Sequence, residues 1–131
     1  MALQLYHDSG GTNLIESGDE DIYRNAVSSS NTAVDEKIIY VGSDDTNLTY
    51  ENITIDAIND EDSASVSGEI DVTYAVDNSG TAGTYQDVLT LSDGDFSTPV
   101  PVWRKVTAPN VTSAFKRTDI QHELNFDEYV K

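Results

Sequence analysis

The stretch Ile70-Asp71-Val72-Thr73-Tyr74-Ala75-Val76 alternates apolar side chains with polar or small ones. A period of two puts Ile70, Val72, Tyr74 and Val76 on one face of a strand, with Asp71, Thr73 and Ala75 on the other. The same pattern recurs near the end of the chain, where Ile120, His122, Leu124 and Phe126 share a face and Asp119, Gln121, Glu123 and Asn125 point outward. Four further stretches, Lys37 to Val41, Tyr50 to Ile58, Tyr85 to Leu91 and Val100 to Thr107, are rich in β-branched and aromatic residues and read as strands. Between them lie clusters of Gly, Asp, Asn and Ser at 42–47, 59–65, 77–83 and 92–98 that read as turns. Strands recurring at this spacing without a helical period between them indicate an antiparallel sandwich or small barrel. The expected fold is therefore all-β, a single antiparallel immunoglobulin-like β-sandwich over residues 37–131 with an N-terminal arm over residues 1–36.

The first 36 residues differ in kind from the rest. Ala2 to Tyr6 reads as a short strand, His7 to Gly11 and Ser28 to Asn31 as loops, and Asp19 to Asp21 as a run of charge. Ile22 and Ala26 fall at i and i+4, which suggests a helical turn or two within Asp21 to Val27. An arm that orders against a neighbour ties small subunits together, whereas a partly mobile terminus is the plainer reading. No basic region followed by an apolar run begins the chain, so no signal peptide is expected, and no stretch approaches a membrane span.

In 131 residues there are 24 acids against 7 bases, a formal charge of −17, with abundant aspartate, four lysines and no cysteine. Such a surface repels phosphate backbones and anionic lipid heads, so neither nucleic acid nor membrane is an expected partner. It also suits concentrated salt, where the screening length falls to about 3 Å and carboxylate repulsion largely vanishes. A solubilising acidic skin in ordinary salt predicts the same exterior. The charge is uneven: residues 1–95 hold 20 acids against Arg24 and Lys37, while residues 96–131 hold four acids and five bases. Trp103, Arg104, Lys105, Phe115, Lys116 and Arg117 lie in that near-neutral part and are the interface candidates, since arginine and aromatics are enriched in protein interfaces. The competing reading makes Trp103 a core aromatic and lets the bases pair with nearby carboxylates. Pro99 and Pro101 cannot donate to a ladder, which places their strand at its beginning or at a sheet edge.

Catalytic chemistry finds little footing here. The two histidines, His7 in a loop and His122 on the apolar face of its strand, leave no nucleophile with an evident base, and no phosphate cradle is present. Zinc sites need clustered His or Cys, which are missing from the sequence, so neither metal nor cofactor is expected. Adjacent carboxylates such as Asp44–Asp45 carry no information in a chain with so many. Ser92-Asp93-Gly94-Asp95 has the look of a calcium-loop fragment but lacks the remaining ligands, and a hairpin turn is the plainer identity of Asp93 and Asp95. Three Asn-X-Thr sequons, at Asn47, Asn52 and Asn110, suit an outward-facing protein.

The order of elements has a further resemblance. Lys37-Ile-Ile-Tyr-Val-Gly, Leu48-Thr-Tyr-Glu-Asn-Ile-Thr-Ile, Gly83-Thr-Tyr and Pro99-Val-Pro-Val-Trp-Arg-Lys-Val-Thr-Ala-Pro, followed by Thr118-Asp-Ile and Glu128-Tyr-Val, resemble small structural proteins of tailed bacterial and archaeal viruses. The resemblance implies an immunoglobulin-type sandwich that decorates a capsid or builds a tail or baseplate, with copies of itself and other virion proteins as partners and the virion as its location. The acidity would suit a virus of halophilic archaea. The alternative expectation is an extracellular carbohydrate-binding or adhesive module that meets a cell-surface glycan or receptor.

Overall fold

The computed structural model describes residues 3–15, 22–24, 33–57, 71–108, 115–117 and 122–131. Within them every strand pairing is antiparallel and no helix occurs. One sheet has the order β1 (Leu3–Tyr6), β3 (Ala33–Ser43), β8 (Val100–Ala108), β5 (Asp71–Asn78) and β6 (Thr81–Ala82). A second has the order β10 (His122–Val130), β4 (Leu48–Ala57) and β7 (Leu89–Leu91). A two-stranded ribbon pairs β2 (Ile22–Arg24) with β9 (Phe115–Arg117).

The first two sheets share one core, a two-layer arrangement consistent with a β-sandwich. Ile39, Val41, Val72, Tyr74, Val102 and Val106 of the larger sheet meet Tyr50, Ile53, Ile55, Leu89 and Leu91 of the smaller one. Each fully buried aliphatic chain of this kind contributes roughly 1.5–3 kcal/mol. Alternation along β5 and β8 supplies these positions as the sequence requires. On β4 it does not, because Tyr50 and Ile53 are three residues apart yet both buried. The register with β10 shifts between Asn125 and Asp127, and Asn52 takes a φ of 53°. The extra residue is a β-bulge, and asparagine is among the few side chains that tolerate that backbone region.

Two expectations are corrected, and one choice is resolved. Of the two places the prolines allow, a strand's beginning or a sheet edge, the first is observed: β8 starts at Val100 and pairs with β3 on one side and β5 on the other. Its prolines are tolerated because pairing with β5 begins only at Val102, so Pro101 lies at the strand's entry, opposite Tyr40 of β3. Gly42 accommodates the turn into this strand, since a Cβ there would meet Pro99 Cγ and Tyr6 Cε2 at 3.3 Å each. The helical turn expected around Ile22 is replaced over Ile22–Arg24 by β2, paired to a segment about 90 residues away in sequence. The strand expected over Tyr85 to Leu91 shortens to Leu89–Leu91, with only Gln86 bridging to Tyr74.

The expected boundary at residue 36 falls inside β3, and β1 is a member of the larger sheet, with Leu3, Leu5 and Tyr6 buried. Residues 16–21 and 25–32 of that segment lie outside the described residues.

Arg104 occupies the inward row of β8 between Val102 and Val106 and is 2% exposed. Its Nη2 donates to Asp35 Oδ2 at 2.8 Å, and Asp35 is 30% exposed. Breaking a buried ion pair by removing one partner strands the other charge in a medium that solvates it poorly. Asp35→Ala is therefore expected to cost roughly 3 kcal/mol, the lower end for such pairs because Asp35 itself reaches water. Urea denaturation measures it, and a loss below about 1 kcal/mol, the worth of an exposed pair, would contradict the structural role.

Candidate functional site

The six interface candidates separate into three environments. Arg104 faces the core as described, so it is not a surface cation. Trp103 and Lys105 lie on the opposite, outer face of β8. The Trp103 indole N–H donates to Asp77 Oδ1 at 2.9 Å, and the residue sits half-buried opposite Ala75 and Ile38. Lys105 Nζ lies 4.8 Å from the centre of the Tyr85 ring, a cation–π contact, while the Tyr85 hydroxyl donates to Glu36 Oε2 at 2.6 Å. Burial and the bond to Glu36 push the Tyr85 hydroxyl well above its ordinary pKa. Phe115, Lys116 and Arg117 form β9 and are brought by pairing to β2, with Arg24 opposite Phe115, Lys116 opposite Tyr23 and Arg117 opposite Ile22. The structure thus divides a cluster that the sequence presents as one.

At one end of the inter-sheet core the polar groups are bonded to one another. The Tyr74 hydroxyl and His122 Nδ1 are 2.5 Å apart, with their rings edge-to-face at 5.5 Å. His122 shares its inward face with Leu124 and Phe126, as alternation requires, and lines a shallow pocket of about 220 Å³ with Gln4, Leu5, Leu14 and Ile15. Tyr74, whose hydroxyl meets this imidazole, is itself fully buried. His7 lies in the loop after β1, where its backbone N–H donates to Asn13 O. The neighbouring Asp8 accepts from Thr12 Oγ1 and from the N–H groups of Thr12 and Asn13, which hold its carboxyl below the usual range. These are turn-forming bonds.

Ser92-Asp93-Gly94-Asp95 likewise closes a turn. Tyr50 and Gly94 exchange backbone bonds of 2.8 and 3.1 Å, and Asp93 Oδ1 accepts from Asn52 N at 3.3 Å. Asp95 accepts from Ser97 N and Oγ and pairs with Lys131 Nζ at 2.8 Å. Among the described residues no group of three or more His, Cys, Asp or Glu is placed to hold a metal ion. On the smaller sheet, Asp56 stands directly opposite Glu123. Burial, and then the Glu123 charge, raise the Asp56 carboxyl above its ordinary range.

The same loop borders a cleft of about 350 Å³. Val76, Leu91, Phe96 and Val100 give it apolar walls, and Ser92, Asp93, Asp95, Ser97 and Thr98 surround them. Val76 and Val100 are inward-row residues of β5 and β8, yet they are 41% and 36% exposed, so the core opens at this end. Phe96, at a φ of 54°, is fixed there by its carbonyl accepting from Ser43 N at 3.0 Å and by an edge contact with Tyr50. In the sequence, 92–98 reads as a turn with a calcium-loop-like fragment at Ser92–Asp95; the missed signal is the aromatic Phe96 within that polar loop, an apolar side chain that needs a wall to pack on.

No protein-family model, curated protein or solved structure matches the chain.

The Lys131 ammonium, followed by Ser97, holds the Asp95 carboxyl down to about 2. A depressed carboxyl contributes stability above its ordinary range that is lost as pH falls through about 2. Lys131→Met is expected to return the Asp95 titration toward the ordinary range near 4. Carbon-detected NMR titration of the carboxyl reads this directly, and an unmoved midpoint would show that Ser97 alone sets it.

Proposed function

We propose that the chain is a non-enzymatic structural module that works by assembly, and that its setting is the particle of a tailed virus, as a capsid decoration or turret subunit or a tail or baseplate component. The observation that carries the assembly reading is the β2–β9 ribbon. Pairing gathers Arg24, Lys116 and Arg117, three of the seven basic residues, onto six positions that hold no acid. Of the other four bases, Arg104, Lys105 and Lys131 are engaged within the chain by Asp35, the Tyr85 ring and Asp95, and Lys37 also has a partner there. In a protein of −17 a ribbon of this composition is where a neighbouring copy's acidic surface meets least repulsion.

The viral setting rests on the resemblance of the sequence elements, and the halophilic one on the acidic balance. An immunoglobulin-like connectivity belongs to the same proposal and is supported by two antiparallel sheets over one core. So does a docking role for the N-terminal segment, because β2 supplies half of the ribbon. A sugar-binding module would want a contiguous platform of exposed aromatic rings. Tyr6, Tyr50 and Tyr74 are buried, Tyr85 is covered by Lys105, and the exposed Tyr129 stands on β10 without such a platform among the described residues.

The experiment is charge reversal confined to the ribbon. Arg24→Glu, Lys116→Glu and Arg117→Glu together are expected to leave the β-sheet circular dichroism intact and to turn an oligomer into a monomer by sedimentation in molar salt. Unchanged assembly of the folded variant would place docking elsewhere, and a monomeric parent chain would remove the assembly reading.

A further inference from the structure

We propose that Asn47 is an acceptor site for an N-linked saccharide, and that the fold opens this sequon to a transferase while closing the one at Asn52. The two have the same pattern, Asn47-Leu48-Thr49 and Asn52-Ile53-Thr54, and both asparagines are exposed, so neither the motif nor simple accessibility separates them. What separates them is how each is held. Asn47 stands in the turn before β4, and the turn uses its backbone: its N–H donates to Asp45 Oδ1 at 2.9 Å, and its carbonyl accepts from Lys131 N at 2.9 Å. The side-chain amide takes no part in those bonds. At Asn52 the amide is committed, because Nδ2 donates to Asp127 Oδ2 at 2.7 Å. Its backbone N–H donates to Asp93 Oδ1 at 3.3 Å, and the residue takes the φ of 53° that belongs to the β4 bulge.

Saccharide transfer needs more than an exposed nitrogen. The transferase reads three consecutive residues, so the sequon must leave its ladder locally before it can enter an active site. At Asn47 that opening is small. Leu48 and Thr49 are the first two residues of β4, and they pair with Val130 and Tyr129 at the far end of β10, which are 79% and 47% exposed. At Asn52 it is large. Ile53 is wholly buried and pairs with Leu91, while Thr54 is flanked by Thr90 on one side and Asn125 on the other. Releasing that sequon pulls a side chain out of the shared core and breaks pairing on both flanks, which is opening of the smaller sheet rather than fraying of its end. The reaction joins Asn47 Nδ2 to the anomeric carbon of a saccharide carried on a lipid diphosphate. The anomeric C–O bond breaks with its electron pair leaving on the diphosphate, and the amide gives up one proton to a base of the transferase. The co-substrate is thus a lipid-diphosphate-linked saccharide and the catalyst a separate oligosaccharyltransferase. None of this depends on how copies of the chain assemble.

Asn110 lies outside the described residues, so the test chain carries Asn110→Gln and keeps the two sequons of β4. The folded protein is incubated with a single-subunit oligosaccharyltransferase and its lipid-diphosphate-linked oligosaccharide. Occupancy is read by mass spectrometry after cleavage at Glu51, which separates the two asparagines. Asn47 is expected to be modified at least about tenfold faster than Asn52, the difference between local fraying and opening of a sheet. Thr49→Ala is expected to abolish transfer to Asn47 and to leave the β-sheet circular dichroism unchanged. Trypsin provides the control for the transferase's own sequence preference, because cleavage at Lys37 and Arg104 leaves both sequons on one fragment without β1 or β10. In that fragment the advantage of Asn47 is expected to fall several-fold. An advantage as large in the fragment as in the folded chain, or equal transfer to Asn47 and Asn52 in the folded chain, would overturn the gating by the fold. Absence of transfer to Asn47 in the folded chain would overturn the acceptor site itself.

Discussion

An arginine lies in the shared core of two β-sheets, and the rest of the molecule is arranged around the strand that carries it. Arg104 sits midway along β8, with Val102 and Val106 on either side in the inward row and Asp35 of β3 as its charge partner. Burying a guanidinium is costly unless it is paired, so the strand that bears it must be flanked by one that delivers a carboxylate at the right register. The β3–β8 ladder does so by setting Lys37 opposite Arg104 and Asp35 opposite Val106, one inward position along. On the other flank β5 brings Tyr74 opposite Arg104, and the Tyr74 hydroxyl continues to His122 of the smaller sheet. A slip of one residue would turn the inward row outward and break each of these relations together, so the polar groups specify register as well as adding stability.

The alternation of β5, β8 and β10 is legible in the sequence because each turns one apolar row to the core, and period two survives along most of the ladder; Ala75, fully buried on the outer face of β5, and the exposed Val76 depart from it. Where the ladder is irregular the reading fails for identifiable reasons. Asn52 introduces a bulge that no apolar pattern announces, since the inserted residue breaks the period that would reveal it. Pro99 and Pro101 leave a strand's beginning and a sheet edge equally open because proline removes a donor, and only the pairing decides: the loss is harmless at the entry of β8, where one neighbour has not yet begun to pair. Local i, i+4 spacing around Ile22 suggests a helix, whereas pairing with a segment far along the chain makes a strand, which no local window contains. The same applies to the interface candidates. Adjacency in sequence joins Trp103, Arg104 and Lys105, but consecutive residues of a strand face opposite ways, and the row Val102-Arg104-Val106 already held the signal that Arg104 points inward.

Charge and architecture meet at the two ends of the sandwich. At one, the Tyr74 hydroxyl and His122 bond to each other across the core, and the other opens into an apolar slot bordered by Asp93 and Asp95. The smaller sheet sets Asp56 opposite Glu123 and Glu51 opposite Asp127, like charges face to face on an antiparallel ladder, which is unfavourable in dilute salt. Asn52 Nδ2 relieves one of them by donating to Asp127 Oδ2 at 2.7 Å. High ionic strength would screen the rest. In the proposed assembly such subunits would meet through their few cations, three of which pairing sets on one ribbon.

The central position of β8 is tested most directly by native-state hydrogen exchange. A strand paired on both sides and holding the buried ion pair opens only when the whole domain does, so the amides of Val102 to Val106 should exchange at the global unfolding rate, as slowly as any in the chain. Those of β10, which pairs with β4 alone among the described residues, should exchange faster through local opening. If β8 exchanged as readily as β10, the larger sheet would not be built around it, and the account of Arg104, Asp35 and the register they impose would be wrong.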